Sequence, residues 1–175
     1  MNKSLCSLRC NHALSKLSEG DIAGLTVLYD CMGRQIYALA LSILKSPIDA
    51  EDAMQETFLR VVQHIHTYRK DGNGRSWLLS ITRNIAIDMI RKRKDTVCME
   101  SPEVMEKSCS SEDFADKVAL EEALEQLNQT DREIIVLKVS VGMKFAEIAK
   151  LLDLPLTTVQ KRYQRALKKL QFELQ

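Results

Sequence analysis

Apolar residues recur at three- and four-residue steps through most of this chain, which is the period of amphipathic helices. The pattern predicts a helix over residues 19–45, a second over 49–68 that begins with acidic residues after a serine–proline break, and a third over 75–94. The apolar face of the third helix consists of Trp77, Ile81, Ile85 and Met89, with Leu78 beside them. We expect these faces to form a core.

The C-terminal part of the chain repeats the pattern in shorter pieces. It predicts helices over residues 114–127, 130–141, 145–152 and 157–170, the second of them opened by a capping box that starts at Thr130. A tight turn joins the last two, and two short helices with this spacing predict a helix-turn-helix.

A different composition separates these two parts. Residues 95–113 contain a proline, serines and acids without a sustained period, which predicts a flexible acidic linker. The predicted fold class is therefore all-α, with small helical domains over residues 19–94 and 114–175 and an N-terminal tail over residues 1–18.

Composition is consistent with a soluble globular chain: 45% of the 175 residues are hydrophobic and 28% are charged. The few glycines, prolines and aromatics favour helices over sheets. Because no apolar run approaches the roughly 20 residues that span a bilayer, and no signal-peptide core is present, we expect a cytoplasmic protein that is not inserted in a membrane.

The net charge of +1 conceals an uneven distribution. Residues 69–94 carry eight cations and two acids, residues 95–116 carry seven acids and one cation, and residues 150–175 carry six cations and two acids. Two basic blocks flank an acidic one, and this pattern indicates nucleic-acid-binding surfaces.

The first basic block includes the third predicted helix, and its cations lie on the side of that helix away from most of the apolar anchors. The polar and cationic members on that helix are Ser76, Ser80, Arg83, Asn84, Arg91 and Lys94, and the loop before it adds Arg69, Lys70, Asn73 and Arg75. Charge alone leaves two interpretations open, an anion-binding strip or a solvated helix end whose cations match the helix dipole. Asp88 falls within the apolar face, so we predict a buried, hydrogen-bonded or ion-paired carboxylate there.

Two further surfaces admit both a functional and an ordinary interpretation. The second predicted helix has a polar stripe that contains one leucine, formed by Asp52, Gln55, Glu56, Leu59 and Gln63. On composition alone this stripe is an ordinary solvated surface.

The outward side of the last helix carries Thr157, Thr158, Lys161, Arg162, Arg165 and Lys168. Hydroxyls followed by cations suit a helix that reads base edges and holds phosphates, although a hairpin with a solvated basic face remains the alternative.

The residues suggest no catalytic chemistry. No nucleophile with a base, phosphate loop or metal cluster is recognisable, so we predict no catalytic residue, no metal and no cofactor. Cys6, Cys10 and His12 offer three ligands without a fourth, and five irregularly spaced cysteines favour reduced thiols over a disulfide framework.

Three segments in order resemble the extracytoplasmic function (ECF) group of bacterial RNA polymerase sigma factors. They are DAEDAMQETFLRV at 49–61, WLLSITRNIAIDMIRKR at 77–93 and EIAKLLDLPLTTVQKRYQRALKKL at 147–170. The resemblance covers nearly the whole chain after the first eighteen residues. Members often have aromatic residues where Leu79 and Met89 stand, and a lysine where Gln160 stands, which bears on the promoter sequence rather than on the class.

The resemblance implies a non-enzymatic factor that binds core RNA polymerase, recognises a promoter and helps to open it. It assigns polymerase binding to Asp52, Gln55, Glu56 and Leu59. It assigns the melted minus-ten strand, with one base flipped into a pocket, to Arg69, Lys70, Asn73, Arg75, Arg83, Asn84 and Arg91. It assigns the minus-thirty-five duplex to Thr157, Thr158, Lys161, Arg162, Arg165 and Lys168.

The resemblance also implies an anti-sigma factor as a partner and no small-molecule substrate. An alternative from another class is a helix-turn-helix regulator whose N-terminal helices form a dimerisation or ligand-binding bundle. That regulator would not require the polar stripe around Leu59. An enzyme is the third and weakest alternative, because no catalytic constellation is present.

Overall fold

A computed structural model describes residues 3–69, 73–96, 123–124 and 126–173. Within these ranges the regular structure is helical, as the all-α prediction requires. The helices are α1 (Lys3–Ser18), α2 (Ala23–Leu44), α3 (Pro47–His64), α4 (Gly74–Thr96), α5 (Gln129–Val136), α6 (Phe145–Leu152) and α7 (Leu156–Glu173). A short 3₁₀ helix, Ile65–Thr67, follows α3, and a short π-helix, Leu137–Val141, follows α5.

Helices α1 to α4 form the first packed unit, and local chemistry sets their limits. Helix α2 ends at Lys45, which adopts a left-handed conformation with φ 58°. The backbone N–H of Asp49 donates to Ser46 Oγ at the start of α3, where proline occupies the first turn. The predicted first and second helices are therefore present but shorter than the apolar pattern indicated.

The tail predicted for residues 1–18 is wrong, because this segment forms α1 and packs against α2. Its core residues are Cys10, Ala13, Leu14 and Leu17. A Cβ atom at Gly24 would lie 2.5 Å from the carbonyl oxygen of Ala13, so glycine permits the close approach of the two helices. Two of these four core residues, Cys10 and Ala13, are small, so the apolar period of the segment is weak in the sequence.

The core face of α4 is rotated from the predicted one. Its buried residues include Leu78, Leu79, Thr82, Ile85 and Ala86, whereas the anchors Trp77, Ile81 and Met89 are only half-buried. The rotation carries Asp88 out of the core, so the prediction of a buried carboxylate there is wrong. Its side chain is 48% exposed and lies 3.8 Å from Arg91.

The second unit contains the predicted helix-turn-helix in α6 and α7, joined by a turn in which Asp153 has φ 54°. Helix α5 is capped by Asn128, whose Oδ1 accepts from the N–H of Asp131 at 2.9 Å. The capping box predicted at Thr130 is therefore wrong. The predicted linker begins inside α4, and its residues 97–113 lie outside the described residues, as does most of the helix predicted over 114–127.

The two units pack on each other through apolar and polar contacts. Ile134, Leu137 and Met143 join the core formed by α1 to α4. The buried guanidinium of Arg132 donates to the carbonyl oxygens of Ser42 (2.9 Å), Leu127 (2.8 Å) and Leu124 (2.9 Å). The arginine thus connects α2 to the segment that enters α5.

Candidate nucleic-acid interface

The polar strip of α4 begins at the helix start. The side chain of Asn73 caps the helix, because its Oδ1 accepts from the N–H of Ser76 at 3.3 Å. Asn84 and Arg91 are exposed further along, as is Arg69 before the helix. We call Asn73, Arg75, Arg83, Asn84 and Arg91 the α4 strip. Lys70 lies outside the described residues.

Three members of the α4 strip contact the second unit. The Nε of Arg83 donates to Glu133 Oε2 at 2.8 Å, and the Nδ2 of Asn73 donates to Glu147 Oε1 at 2.6 Å. Arg75 is buried, and its Nη2 donates to the carbonyl oxygen of Val141. Sequence reasoning missed these pairings, since the partners are separated by 50 to 74 positions.

A cleft of about 250 Å³ opens beside the strip. Its walls are Arg60, His64, Thr67, Trp77, Ile81 and Asn84. The same helix rotation that leaves Trp77 and Ile81 half-buried makes them available to this cleft. The cleft therefore combines an aromatic ring, an aliphatic side chain and hydrogen-bond donors, which is a suitable lining for a planar polar ring.

The outer surface of α3 carries the stripe expected to meet polymerase. Asp52 and Gln55 are exposed, Leu59 is 59% exposed, and Glu56 pairs with Arg60 at 2.8 Å. Tyr29 on α2 is 54% exposed and contacts Phe58 with ring centroids 5.4 Å apart. We call Asp52, Gln55, Glu56 and Leu59 the α3 face.

Four of the six residues on the predicted outward side of α7 are exposed, and two are half-buried. Thr157, Lys161, Arg165 and Lys168 are exposed, and Thr158 is half-buried. Arg162 instead turns towards its own unit, where its Nη1 lies 2.9 Å from Asp131 Oδ1, a carboxylate that is itself buried. We call these six residues, with Arg162 included, the α7 face.

Asn11 of α1 is a residue that the sequence reasoning did not identify. Its Oδ1 accepts from the N–H of Gly74 at 3.0 Å and lies 3.4 Å from the hydroxyl of Tyr68. These two groups stand on either side of the loop that precedes α4. Asn11 therefore holds both ends of that loop, and nothing in the local sequence of α1 signals this contact.

The described ranges show neither a group of three or more His, Cys, Asp or Glu side chains that could hold a metal ion nor a helix long and apolar enough to cross a bilayer. Cys10, one of the three potential ligands considered above, has no exposed surface.

Comparisons with known proteins place both units in one family. Residues 28–96 match the family model for Sigma-70 region 2, and residues 117–170 match that for Sigma-70, region 4. The RNA polymerase sigma factor SigV of Bacillus subtilis (strain 168) is 32% identical over 141 residues, which cover 81% of this chain and 85% of that protein. The ECF RNA polymerase sigma factor SigW of the same organism is 27% identical over 176 residues, covering 92% and 94%.

Solved structures give the same fold. CnrH, solved in complex with the cytosolic domain of CnrY, matches with a TM-score of 0.73 at 24% identity, over 95% of this chain and 97% of that one. The sigma factor RpoE from Bartonella quintana, solved with the anti-sigma factor NepR, matches with a TM-score of 0.66 at 27% identity, over 79% and 89%.

These similarities confirm the family that the sequence motifs indicated. A regulator with an unrelated N-terminal bundle does not account for the region 2 match, and an enzyme accounts for neither match. The chain belongs to the ECF group of RNA polymerase sigma factors, which are non-enzymatic proteins that bind core polymerase, recognise promoter elements and direct the initiation of transcription.

Proposed function

We propose that three surfaces of this sigma factor divide its work. The α3 face binds core polymerase, the α4 strip with Arg69 and Lys70 binds the melted minus-ten strand, and the α7 face reads the minus-thirty-five duplex. The observation that carries this proposal is the exposed Leu59, which lies among polar side chains on the α3 face. An exposed aliphatic anchor with a polar rim is typical of protein–protein interfaces.

The cleft beside the α4 strip supports the assignment of single-stranded DNA. An unstacked base entering it would meet the ring of Trp77 and the amide of Asn84. Stacking on an aromatic ring and hydrogen bonds to a base edge are the contacts by which proteins hold unpaired bases. The cations of the strip would hold the adjoining phosphates.

The α7 face supports duplex recognition by a different distribution of groups. Threonine hydroxyls at its N-terminal end suit base edges in the major groove, while Lys161, Arg165 and Lys168 suit phosphates. Their exposure means that a duplex can reach them without a rearrangement of the chain.

Two further assignments complete the proposal. The factor acts in the cytoplasm, where bacterial polymerase meets the chromosome. An anti-sigma protein is its regulatory partner, which the complex of RpoE with NepR supports.

Run-off transcription with purified core polymerase tests the whole proposal. Addition of this protein should give specific transcripts from promoter fragments of the source genome. A failure of every such fragment to give a transcript would contradict the sigma activity of this chain.

The Leu59→Asp variant tests the α3 face. It should weaken the binding of core polymerase by about thirtyfold or more, because an interface anchor contributes roughly 2 kcal/mol or more. Val139→Asp is the matched control, since Val139 is 57% exposed on the other unit. Equal affinities of the two variants in a labelled-polymerase titration would place the interface elsewhere, provided that circular dichroism shows both to be folded.

A further inference from the structure

The ring of Trp77 has a second contact besides the cleft that it lines. Its centroid lies 5.3 Å from that of Tyr68, a buried residue that is not among the described residues forming the walls of the cleft. The hydroxyl of Tyr68 in turn lies 3.4 Å from Oδ1 of Asn11 on α1. We infer that Tyr68 and Asn11 are positioning residues that hold the indole of Trp77 in the orientation in which an unpaired base stacks on it. This inference rests on the proposed role of the cleft in binding a base.

The contact between the two rings limits where the indole can turn. The ring planes are tilted by 47°, and only 8% of Tyr68 is exposed. Trp77 is half-buried, and a tryptophan at such a position can otherwise turn about its two side-chain torsions. Stacking requires a particular orientation, because a base stacks on the face of an aromatic ring. The buried phenol ring of Tyr68 therefore occupies space into which the indole would otherwise turn.

One side-chain oxygen of α1 fixes both the phenol ring and the helix that carries the indole. Besides its contact with the Tyr68 hydroxyl, Oδ1 of Asn11 accepts from the backbone N–H of Gly74 at 3.0 Å. Gly74 is the first residue of α4, and Trp77 follows it within about one helical turn. A shift of the Asn11 amide would therefore move both the ring that contacts Trp77 and the turn of helix on which Trp77 stands.

An aromatic ring that is held in place before DNA arrives gives tighter binding than one that is free to turn. Fixing a mobile side chain during binding costs conformational entropy, and this cost is avoided when the protein fixes the side chain in advance. Neither Tyr68 nor Asn11 needs to touch the DNA for this effect. Helix α1, which carries none of the three surfaces proposed above, thus contributes to strand binding through Trp77.

Fluorescence of Trp77 tests the positioning directly, because this residue is the only tryptophan of the chain. The full-length Tyr68→Phe variant keeps the ring and loses the hydroxyl contact with Asn11. Excited where tyrosine does not absorb, Trp77 should show a faster decay of fluorescence anisotropy in this variant, because exposed rings rotate on the nanosecond timescale. Tyr29→Phe removes a hydroxyl from an exposed ring on α2 and should leave the decay unchanged. Equal decays in Tyr68→Phe and the unsubstituted protein would overturn the inference.

Binding of single-stranded DNA measures the functional consequence. The probe is an unlabelled oligonucleotide of mixed sequence and about twelve nucleotides, titrated at low salt and followed by the quenching of Trp77 as bases stack on it. Tyr68→Phe should weaken this binding by about threefold, which is near the low end of what one hydrogen bond contributes. Tyr68→Leu also loses the ring contact and should weaken it by about fivefold. Affinity for a duplex of the same sequence should not change, because the α7 face is unaltered.

A double-mutant cycle tests whether Tyr68 acts through Asn11. In an Asn11→Ala background, Tyr68→Phe should change the anisotropy decay and the affinity little, because the contact is already absent there. Additive effects of the two substitutions would show that they act independently and would overturn the positioning role of Asn11. Circular dichroism checks that each variant is folded. Should Asn11→Ala fail to fold, the Tyr68→Phe measurements still decide the inference.

Failure of this inference and failure of the proposed function give different results. If saturating single-stranded DNA leaves the Trp77 emission of the unsubstituted protein unchanged, no base stacks there, and both the proposed role of the cleft and the inference are overturned. Quenching in the unsubstituted protein, with an equal decay and an equal affinity in Tyr68→Phe, would keep the role of the cleft and overturn the positioning alone. A faster decay without a loss of affinity would show that ring mobility does not limit binding and would likewise overturn the inference.

Discussion

The two surfaces proposed to contact DNA differ in how their cations are held. On the α4 strip, Arg75 is buried and Arg83 is paired with a carboxylate from the other unit. On the α7 face, Lys161 and Lys168 project into solvent, and the paired Arg162 uses an acid of its own unit. A cation neutralised across an interface becomes available only when the units move apart, whereas one neutralised within its unit keeps the same partner in every arrangement. The two proposed surfaces therefore differ in whether their arginines are paired within one unit or across both.

The largest expected effect on DNA binding concerns the α7 face. The Lys161→Ala, Lys168→Ala double variant should weaken binding to minus-thirty-five duplex by on the order of tenfold and reduce the salt slope by about two, since each lysine accounts for about one phosphate contact. Anisotropy titrations at several salt concentrations measure both quantities. Lys16→Ala with Arg34→Ala removes the same charge from one half-buried and one exposed position on the first unit and should change the duplex affinity much less. Equal losses in the two variants would show that the lysines act only through net charge.

Arg162 and Arg165 should differ in their contributions to the free energy of unfolding. The Arg162→Ala variant should lower the free energy of unfolding by about 1–2 kcal/mol, because it leaves the buried Asp131 with a weakened set of partners. Arg165 is 69% exposed and 3.5 Å from the same carboxylate, so Arg165→Ala should change stability by less than about 0.5 kcal/mol. Urea unfolding followed by circular dichroism measures both. A larger loss in Arg165→Ala would show that the pairing with Asp131 is assigned to the wrong arginine.

The smaller of the two expected losses of stability concerns Asn11, which supports the start of the α4 strip. Asn11→Ala removes the acceptor of the Gly74 N–H and should reduce the free energy of unfolding by about 1 kcal/mol. It should also weaken single-strand binding while duplex binding is unchanged, because Asn11 holds the loop that precedes α4. Asn11→Asp retains an oxygen acceptor and should restore most of both properties. Loss of duplex binding in Asn11→Ala would indicate a general defect in folding instead.

The helices were predictable because a helix that buries one face has apolar residues every three or four positions. A short stretch of sequence is enough to show this repeat. Their exposed faces followed from the same period, and Leu59 and Lys161 lie where it indicated. The start of α5 was not predictable at the level of one residue, because Asn128 and Thr130 are both good capping residues and the extended backbone at Asn128 decided between them. Sequence could place these boundaries only within a few residues.

The pairing of the α4 strip could not be predicted from any local pattern. Arg83 and Arg75 belong to a cationic strip that looks solvated in sequence, and their partners come from a unit beyond the acidic segment. Such contacts depend on how the two units pack on each other, which is a long-range property of the chain. The similarity to known sigma factors gave the class of function without giving this arrangement.

Gly74 sets a limit on how this protein can be divided. A Cβ atom there would lie 2.4 Å from Leu14 Cδ1 and 2.7 Å from Asn11 Oδ1, so a side chain at this position would have to displace the ends of both side chains of α1. A fragment that begins at residue 28, where the region 2 match starts, would lose this support and expose the apolar residues of α2 that α1 covers. We therefore expect a fragment of the first unit to need α1, and trimming to the family boundary should yield an aggregation-prone polypeptide.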